Sequence, residues 1–141
     1  MTTVNIFVFG TLKEGFPNYS VNNGIRLPGE FATVKQYPLY LVGERHSPWL
    51  VLDEGRGFSV KGQVFQVSKQ ALADMDALER IEESDGYRRI ELDVVELATQ
   101  QTLRVFVYGK PVEQLEQALI QSELAGEYTL EDSLTYRSRY A

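Results

Sequence analysis

The sequence predicts an α+β fold in which β-strands outnumber helices. Short runs of β-branched and aromatic residues recur along the chain and are separated by Gly, Pro and Asn-Gly turn signals. The strongest helical periodicity is confined to residues 68–83, near the middle of the chain, and a second, weaker one follows residue 110. We therefore expect a sheet with one helix inserted midway and one placed late.

Composition indicates an ordinary globular protein. The 141 residues contain no internal repeat, low-complexity tract or linker, so we expect a single domain over residues 1–141. The absence of cysteine excludes a disulfide scaffold and thiolate metal sites. A formal net charge of −6 argues against nucleic acid or an anionic membrane as the main partner. With no long apolar run and no signal peptide, we expect a soluble cytoplasmic protein.

The first element is a strand that ends in a glycine-containing loop. Residues 4–9 are mainly apolar and β-favouring, and the run breaks at Gly10. Such a turn presents backbone N–H groups that the strand no longer uses, and these groups bind an anion or a carbonyl oxygen. Gly10 and Gly15 have the spacing of a phosphate-binding P-loop, but Phe16-Pro17 replaces the required Lys-Ser/Thr. A plain tight turn is the alternative, and local pattern does not separate the two.

The next strands are bounded by turn signals. Residues 31–42 predict one or two short strands, with Pro38 at an edge or a bulge. Residues 43–48 predict a loop, and residues 49–52 a short buried strand. Residues 58–67 alternate, which predicts a strand with Val60, Gly62 and Val64 on one face and Phe65 and Val67 on the other.

Residues 68–83 form the best helical pattern, with Ser68 as the predicted N-cap. Asp85-Gly86 follows as a stop signal. Residues 87–97 and 102–108 then predict a β-hairpin, because alternating apolar residues flank a polar turn.

A second helix is predicted from Pro111, a residue tolerated at the first helical position, to Gly126. Its apolar stripe consists of Val112, Leu115, Ala118 and Leu119. Tyr128, Tyr136 and Tyr140 follow, and we expect this tyrosine-rich tail to pack back on the sheet.

One carboxylate falls on the apolar side of the main helix. The apolar arc of that helix is formed by Ala71, Leu72, Met75 and Leu78. Glu79 lies inside the arc, although glutamate is seldom buried unless it is paired or functional. Apolar surroundings raise a glutamate pKa toward neutrality, which suits a general base that later acts as an acid. The alternative is a helix-edge acid paired with Arg88 or Arg89.

Other catalytic chemistries find little support. His46 is the only histidine, and no nucleophile elbow accompanies it. Its place in a Gly- and Pro-bounded loop predicts an exposed side chain, with a position on a pocket rim as the alternative. No spacing of His, Asp and Glu is typical of a metal site, so neither a metal nor a cofactor is expected.

Three segments resemble the γ-glutamyl cyclotransferase-like family. The stretch FVFGTLKEGFPN is similar to the family's first strand and loop. GERHSPWLV and MDALER…GYRR resemble the γ-glutamylamine cyclotransferase branch, and the matching segments span roughly residues 4–109. Phe9 departs from the family, which usually has Tyr there. The resemblance implies a small mixed β-barrel with two or so flanking helices and a pocket at one mouth.

The resemblance also implies an activity and a site. The reaction would be attack of the substrate's α-amine on its own γ-carbonyl, which releases 5-oxoproline and a free amine without a cofactor. Glu79, at the end of the family-like segment MDALE, would be the catalytic acid and base. For Tyr108, core packing is the alternative to substrate contact, and for Arg89 it is pairing with a helix acid. The substrate-binding residues would be Phe9, Gly10, Thr11, Leu12 and Tyr108, with weaker expectations for Tyr87, Arg89, Pro48 and Trp49.

Two other classes of function remain open on the sequence. The chain could be a non-catalytic small-molecule binder on the same fold, or an interaction module that uses its tyrosine-rich tail. If it is an enzyme, γ-glutamylamines such as γ-glutamyl-ε-lysine are favoured, with γ-glutamyl amino acids and glutathione as alternatives. We expect a small-molecule substrate, no nucleic-acid or membrane partner, and a monomer or weak homodimer.

Overall fold

A computed structural model describes residues 3–137. The strands are β1 (Thr3–Val8), β2 (Ile25–Arg26), β3 (Phe31–Tyr37), β4 (Leu39–Val42), β5 (Ser47–Leu50), β6 (Phe58–Ser68), β7 (Arg88–Glu96), β8 (Thr102–Gly109) and β9 (Ile120–Leu124). The α-helices are α1 (Lys69–Glu79) and α2 (Leu130–Ser133), and Tyr19–Val21 and Val112–Gln117 are 3₁₀ turns. The prediction of a sheet-dominated α+β fold with few helices is confirmed.

Five strands pair in a closed ring. Their order is β1-β8-β7-β3-β6, and β6 pairs again with β1, while the short β2 lies beside β6. The β1–β8 pair is parallel and the other pairs of the ring are antiparallel, so the sheet is mixed, as expected. The barrel that the family resemblance implied corresponds to this ring of strand pairings.

Two apolar clusters pack against opposite faces of β6. Val60 and Val64 join the larger cluster, and Phe65 and Val67 join a second cluster that contains Met75 of α1. This confirms the two faces predicted from the alternation. Burying these side chains stabilises the fold by about 25 cal/mol for each Å² of apolar surface removed from water.

Helix α1 begins as predicted but ends early. The Ser68 side chain accepts a hydrogen bond from the Ala71 N–H at 3.1 Å, which caps the first turn. The helix ends at Glu79, not at residue 83, because Arg80 adopts a left-handed conformation with φ of 55°. Glu79 therefore lies in the last turn of α1, where the chain reverses toward β7.

The predicted helix over residues 111–126 is wrong. Only a 3₁₀ turn forms at Val112–Gln117, and β9 then pairs antiparallel with β4 in a second sheet of order β5-β4-β9. The apolar spacing does satisfy a helix, but β4 has an edge that a further strand can occupy. Backbone hydrogen bonds to that edge outweigh the weak helical preference of the segment.

The boundaries of β5 also differ from the prediction. Ser47 and Pro48, predicted in a loop, are the first residues of the strand. Pro48 is tolerated there because β5 is an edge strand of its sheet.

Among residues 3–137, neither α-helix has the length and the apolar character that a membrane-spanning helix needs.

Candidate active site

A pocket lies where the end of β1, the end of α1 and strand β5 meet. Eight residues predicted from the sequence line it: Phe9, Gly10, Thr11, Leu12, Pro48, Glu79, Tyr87 and Tyr108. Two weaker candidates, Arg89 and Trp49, are not among its lining residues. These eight residues come from five separate parts of the chain.

The Gly10 loop, residues 10–13, forms one wall of the pocket. It is a turn in which the Lys13 N–H donates to the Gly10 carbonyl oxygen at 3.1 Å. Thr11 and Leu12 are buried, yet no hydrogen bond joins the N–H of Gly10, Thr11 or Leu12 to an acceptor within residues 3–137. Buried backbone N–H groups are nearly always satisfied, so these donors are suited to a ligand.

Two features fix the position of this loop. A Cβ atom on Gly10 would lie only 2.7 Å from Cγ of Pro48, so glycine is what allows β5 to approach so closely. The ammonium group of Lys13 donates to the Tyr128 carbonyl oxygen and lies 4.2 Å from the Phe16 ring centroid. Its pKa is lowered chiefly by burial. Lys13 thus anchors the loop and is not a lining residue of the pocket.

Asn18 holds Thr11 at two points. The Asn18 N–H donates to the Thr11 carbonyl oxygen at 2.8 Å, and its side-chain Nδ2 donates to Thr11 Oγ1 at 2.9 Å. The same Nδ2 donates to Tyr136 Oη at 3.0 Å. Asn18 therefore connects the Gly10 loop to the tyrosine-rich tail.

Glu79 is half-buried and lines the pocket beside Leu78. Its backbone carbonyl accepts a hydrogen bond from the Tyr87 N–H at 3.0 Å. The return of the chain is possible because residue 86 is glycine: a Cβ atom there would lie 1.7 Å from the Arg80 carbonyl oxygen. Gly86 therefore determines the position of the end of α1 and of the Glu79 carboxylate.

Tyr108 and Arg89 meet at a second helix carboxylate. Tyr108 Oη donates to Asp76 Oδ1 at 2.7 Å, and the Arg89 guanidinium pairs with Asp76 Oδ2. Burial is the main cause that raises the pKa of Tyr108, followed by the hydrogen bond to Asp76; the nearby charge of Glu79 also raises it. The hydrogen bond to Asp76 raises the pKa of Arg89. Tyr108 is therefore a neutral phenol in the pocket wall, and Arg89 belongs to an ion pair behind that wall.

Tyr87 separates the pocket from a neighbouring groove. Its hydroxyl donates to the Pro48 carbonyl oxygen at 2.6 Å. Trp49 lines the groove, where the Lys110 ammonium lies 4.3 Å from the Trp49 ring centroid and 4.6 Å from that of Tyr87. The pocket and the groove share three lining residues: Arg45, Ser47 and Tyr87.

Seven further lining residues were not among the predicted site residues: Phe7, Val8, Asn18, Arg45, Ser47, Leu78 and Tyr136. Asn18 ends the family-like segment FVFGTLKEGFPN, which was a usable signal. Tyr136 was expected only to pack on the sheet, since the tail had no periodicity that would place it. Tyr140 lies outside the described residues.

His46 does not contribute to the pocket. His46 is half-buried in the β4–β5 turn, with a φ of 53°, and is not a lining residue. Across residues 3–137 there is no group of three or more His, Asp or Glu side chains placed to hold a metal ion.

Comparisons with known proteins agree with the geometry. Residues 6–129 match the family model described as "Gamma-glutamyl cyclotransferase, AIG2-like". A protein named gamma-glutamylaminecyclotransferase from Mus musculus is 39% identical over 80 residues, which cover 53% of this chain and 54% of that protein. The protein of the same name from Bos taurus is 35% identical over 108 residues, which cover 73% of this chain and 63% of that protein. The chain thus spans about half to two thirds of the curated relatives it matches.

Solved structures give the same result over a larger share of the chain. A crystal structure of an AIG2-like protein from Mus musculus has a TM-score of 0.69 and 28% identity, and the match covers 100% of this chain and 88% of that one. A solution structure of the protein A2LD1 has a TM-score of 0.72 and 29% identity, with 96% of each chain covered.

Proposed function

This chain belongs to the γ-glutamyl cyclotransferase, AIG2-like family, and from that membership we propose that it converts a γ-glutamyl substrate into 5-oxoproline and a free amine. The observation that carries the proposal is the juxtaposition in one pocket of the Glu79 carboxylate and the Gly10 loop. The Glu79 carboxylate supplies a proton acceptor, and the Gly10 loop supplies hydrogen-bond donors. Intramolecular cyclisation needs both kinds of group and no enzyme nucleophile.

Glu79 is the proposed general base and acid. The substrate's α-amine is protonated at neutral pH, so Glu79 removes a proton and the amine nitrogen attacks the γ-carbonyl carbon. A carbon–nitrogen bond forms, which closes the five-membered lactam, and the bond to the leaving amine breaks. Glu79 returns its proton to that amine, and the ring nitrogen releases its remaining extra proton to solvent as the lactam forms. General acid–base catalysis of this kind contributes a factor of about 10² to 10⁴ in rate.

The Gly10 loop is the proposed site for negative charge. The N–H groups of Gly10, Thr11 and Leu12 would hold the substrate's α-carboxylate or the oxyanion that develops on the γ-carbonyl. Asn18 and Lys13 hold the loop in place before substrate arrives, so little reorganisation is needed on binding. Keeping the flexible glutamyl chain folded, with its amine near its own γ-carbonyl, supplies an orientation effect.

The neighbouring pocket walls set the shape of the glutamyl site. Phe9 and Tyr108 are buried and line the pocket, and the Tyr108 hydroxyl is already committed to Asp76. We assign both side chains to shape and to exclusion of water, with no proton transfer through Tyr108. Pro48 and Tyr87 continue the wall toward the groove.

The proposed substrate class is γ-glutamylamines. The groove beyond Tyr87 shares Arg45 and Ser47 with the pocket, so a leaving amine larger than ammonia has space to extend into it. The relatives named gamma-glutamylaminecyclotransferase favour the same class. γ-Glutamyl amino acids and glutathione are the competing substrates.

The test is release of 5-oxoproline from γ-glutamyl-ε-lysine, γ-glutamyl-alanine and glutathione. We expect turnover, fastest with γ-glutamyl-ε-lysine, and a decrease in kcat of about 10²- to 10⁴-fold in Glu79→Gln. Glu82→Gln is the matched control, because Glu82 lies three residues further on and is exposed. Binding of a γ-glutamyl ligand without turnover of any substrate would instead favour the non-catalytic binder.

A further inference from the structure

We propose that Tyr136, in the tail of the chain, is a substrate-binding residue of this pocket. Its hydroxyl donates a hydrogen bond to the α-carboxylate of the γ-glutamyl group, and Asn18 positions that hydroxyl. The inference rests on the proposed function, because it names the part of the γ-glutamyl substrate that this residue recognises. It assigns the tail to the glutamyl site and not to an interaction with another protein.

Hydrogen bonds of residues before and after Tyr136 in the sequence fix its position at the pocket. Upstream, Tyr128 is fully buried, and its carbonyl oxygen accepts the hydrogen bond of the buried Lys13 ammonium. Downstream, the Arg137 N–H donates to the Arg45 carbonyl oxygen at 2.9 Å. Tyr136 lies between these attachments, is half-buried and lines the pocket. The tail is therefore joined to the Gly10 loop and to the β4–β5 turn.

The hydrogen-bond polarity around Asn18 indicates what Tyr136 can do. An amide nitrogen donates only, so Tyr136 Oη accepts from Asn18 Nδ2 and retains its own proton. Within residues 3–137 no hydrogen bond from the Tyr136 hydroxyl to an acceptor is present. A phenol in this arrangement has a proton available for a ligand in the pocket.

The neighbours of Tyr136 favour an anionic partner. Through Asn18 it is connected to Thr11, whose N–H belongs to the donor set of the Gly10 loop. The next residue in sequence, Arg137, donates its backbone N–H to the carbonyl oxygen of Arg45, and Arg45 is a cationic residue that lines the pocket. The charged side chains that line the pocket among residues 3–137 are Arg45 and Glu79. The Glu79 carboxylate suits the substrate's α-amine. The α-carboxylate of the same substrate is then the group that matches the donors.

The test compares Tyr136→Phe with wild type on two substrates: a γ-glutamylamine, and the same compound with its α-carboxylate converted to a carboxamide. A hydrogen bond to a charged group is worth a factor of about 10 to 100 in binding, so we expect KM for the first substrate to rise by that factor. With the carboxamide, the two enzymes should differ by less than about threefold, since the charged acceptor is gone. Tyr40→Phe is the control, because Tyr40 lies on β4 and is not a lining residue of the pocket.

Calorimetric binding of 5-oxoproline, which keeps the α-carboxylate, separates this inference from the proposed function. Wild type could bind 5-oxoproline and yet turn over no substrate. In that case, a lower affinity of Tyr136→Phe for 5-oxoproline would still support the role of Tyr136. An equal rise in KM for both substrates in Tyr136→Phe would overturn the proposal and would indicate a structural role for Tyr136. Unchanged KM and 5-oxoproline affinity in Tyr136→Phe would overturn it too, as would no binding of 5-oxoproline by wild type.

Discussion

Asp76 joins α1 to two strands of the ring through a single carboxylate. One oxygen accepts from Tyr108 of β8, and the other pairs with Arg89 of β7. The sequence offered pairing with a helix acid as the alternative for Arg89, and the structure has that pairing, with Asp76 as the acid. Because both side chains of the ion pair are half-buried and Asp76 also accepts from the buried Tyr108, the pairing is more than a surface ion pair.

Replacing Asp76 by Ala should therefore destabilise the protein. The Tyr108 hydroxyl would lose its acceptor while buried, and we expect the free energy of unfolding to fall by about 1–3 kcal/mol. Asp74→Ala is the control on the same helix, since Asp74 is exposed, and it should change stability by less than about 0.5 kcal/mol. Urea unfolding measures both, and equal effects would contradict the special role of Asp76.

The buried phenols give a prediction about pH. The pKa values of Tyr37, Tyr108 and Tyr128 are all raised, in each case chiefly by burial. A group with a raised folded-state pKa favours the fold while its neutral form prevails, below the unfolded value of about 10, and that contribution is lost as the pH rises further. We therefore expect the free energy of unfolding to fall as the pH is raised above about 10.

Ultraviolet titration of the phenols checks this. In denaturant all eight tyrosines should ionise near pH 10, whereas the native protein should show a smaller absorbance change at that pH. The missing absorbance should appear only when circular dichroism reports alkaline unfolding. Identical native and denatured titration curves would show that these phenols are not protected by the fold.

At the scale of elements, the turn between α1 and β7 depends on one close approach. A Cβ atom on Gly86 would lie 1.7 Å from the Arg80 carbonyl oxygen, and the next residue, Tyr87, binds the Glu79 carbonyl. Gly86→Ala must therefore push the turn away from the end of α1. We expect a loss of at least about 2 kcal/mol of stability, together with a lower kcat because the Glu79 carboxylate moves.

The control for Gly86→Ala is Gly55→Ala. Gly55 has a φ of 99°, but a Cβ atom there would have no neighbouring atom within 4 Å, so alanine introduces backbone strain without a clash. We expect a loss of about 1 kcal/mol with kcat unchanged. Thermal unfolding and turnover measured on both variants decide the matter, and an unaffected kcat in Gly86→Ala would show that the turn does not position Glu79.

The elements also show how far the sequence could predict this molecule. Alternation predicted both faces of β6, and helical spacing placed Glu79 on the side of α1 that reaches the pocket. The early end of α1 was missed because Arg80 is not a residue type that signals a left-handed cap. β9 was missed because its strand conformation depends on the edge of β4, about 80 residues away in sequence, which local periodicity does not encode.

At the scale of the whole molecule, the two sheets differ in how completely their edges are paired. Each ring strand has a neighbour on both sides, and core residues such as Ile6, Phe65 and Val107 are 0% exposed. In the second sheet, β4 is the only partner of β9 among residues 3–137, and the side chains of residues 120–123 are exposed. Leu124 at the end of β9 packs against the larger apolar cluster, so opening of β9 removes that contact and leaves the buried members of the cluster in place.

Amide hydrogen exchange should follow this difference. We expect the N–H groups of β1, β6 and β8 to exchange only through global unfolding, with a free energy of opening equal to that from urea denaturation. The amides of β9 should exchange faster through local opening, because few buried contacts are lost when that strand separates. Exchange measured residue by residue by NMR provides the comparison. Protection of β9 equal to that of β1 would mean that both sheets unfold as one cooperative unit, and that the ring is not the more stable part of the fold.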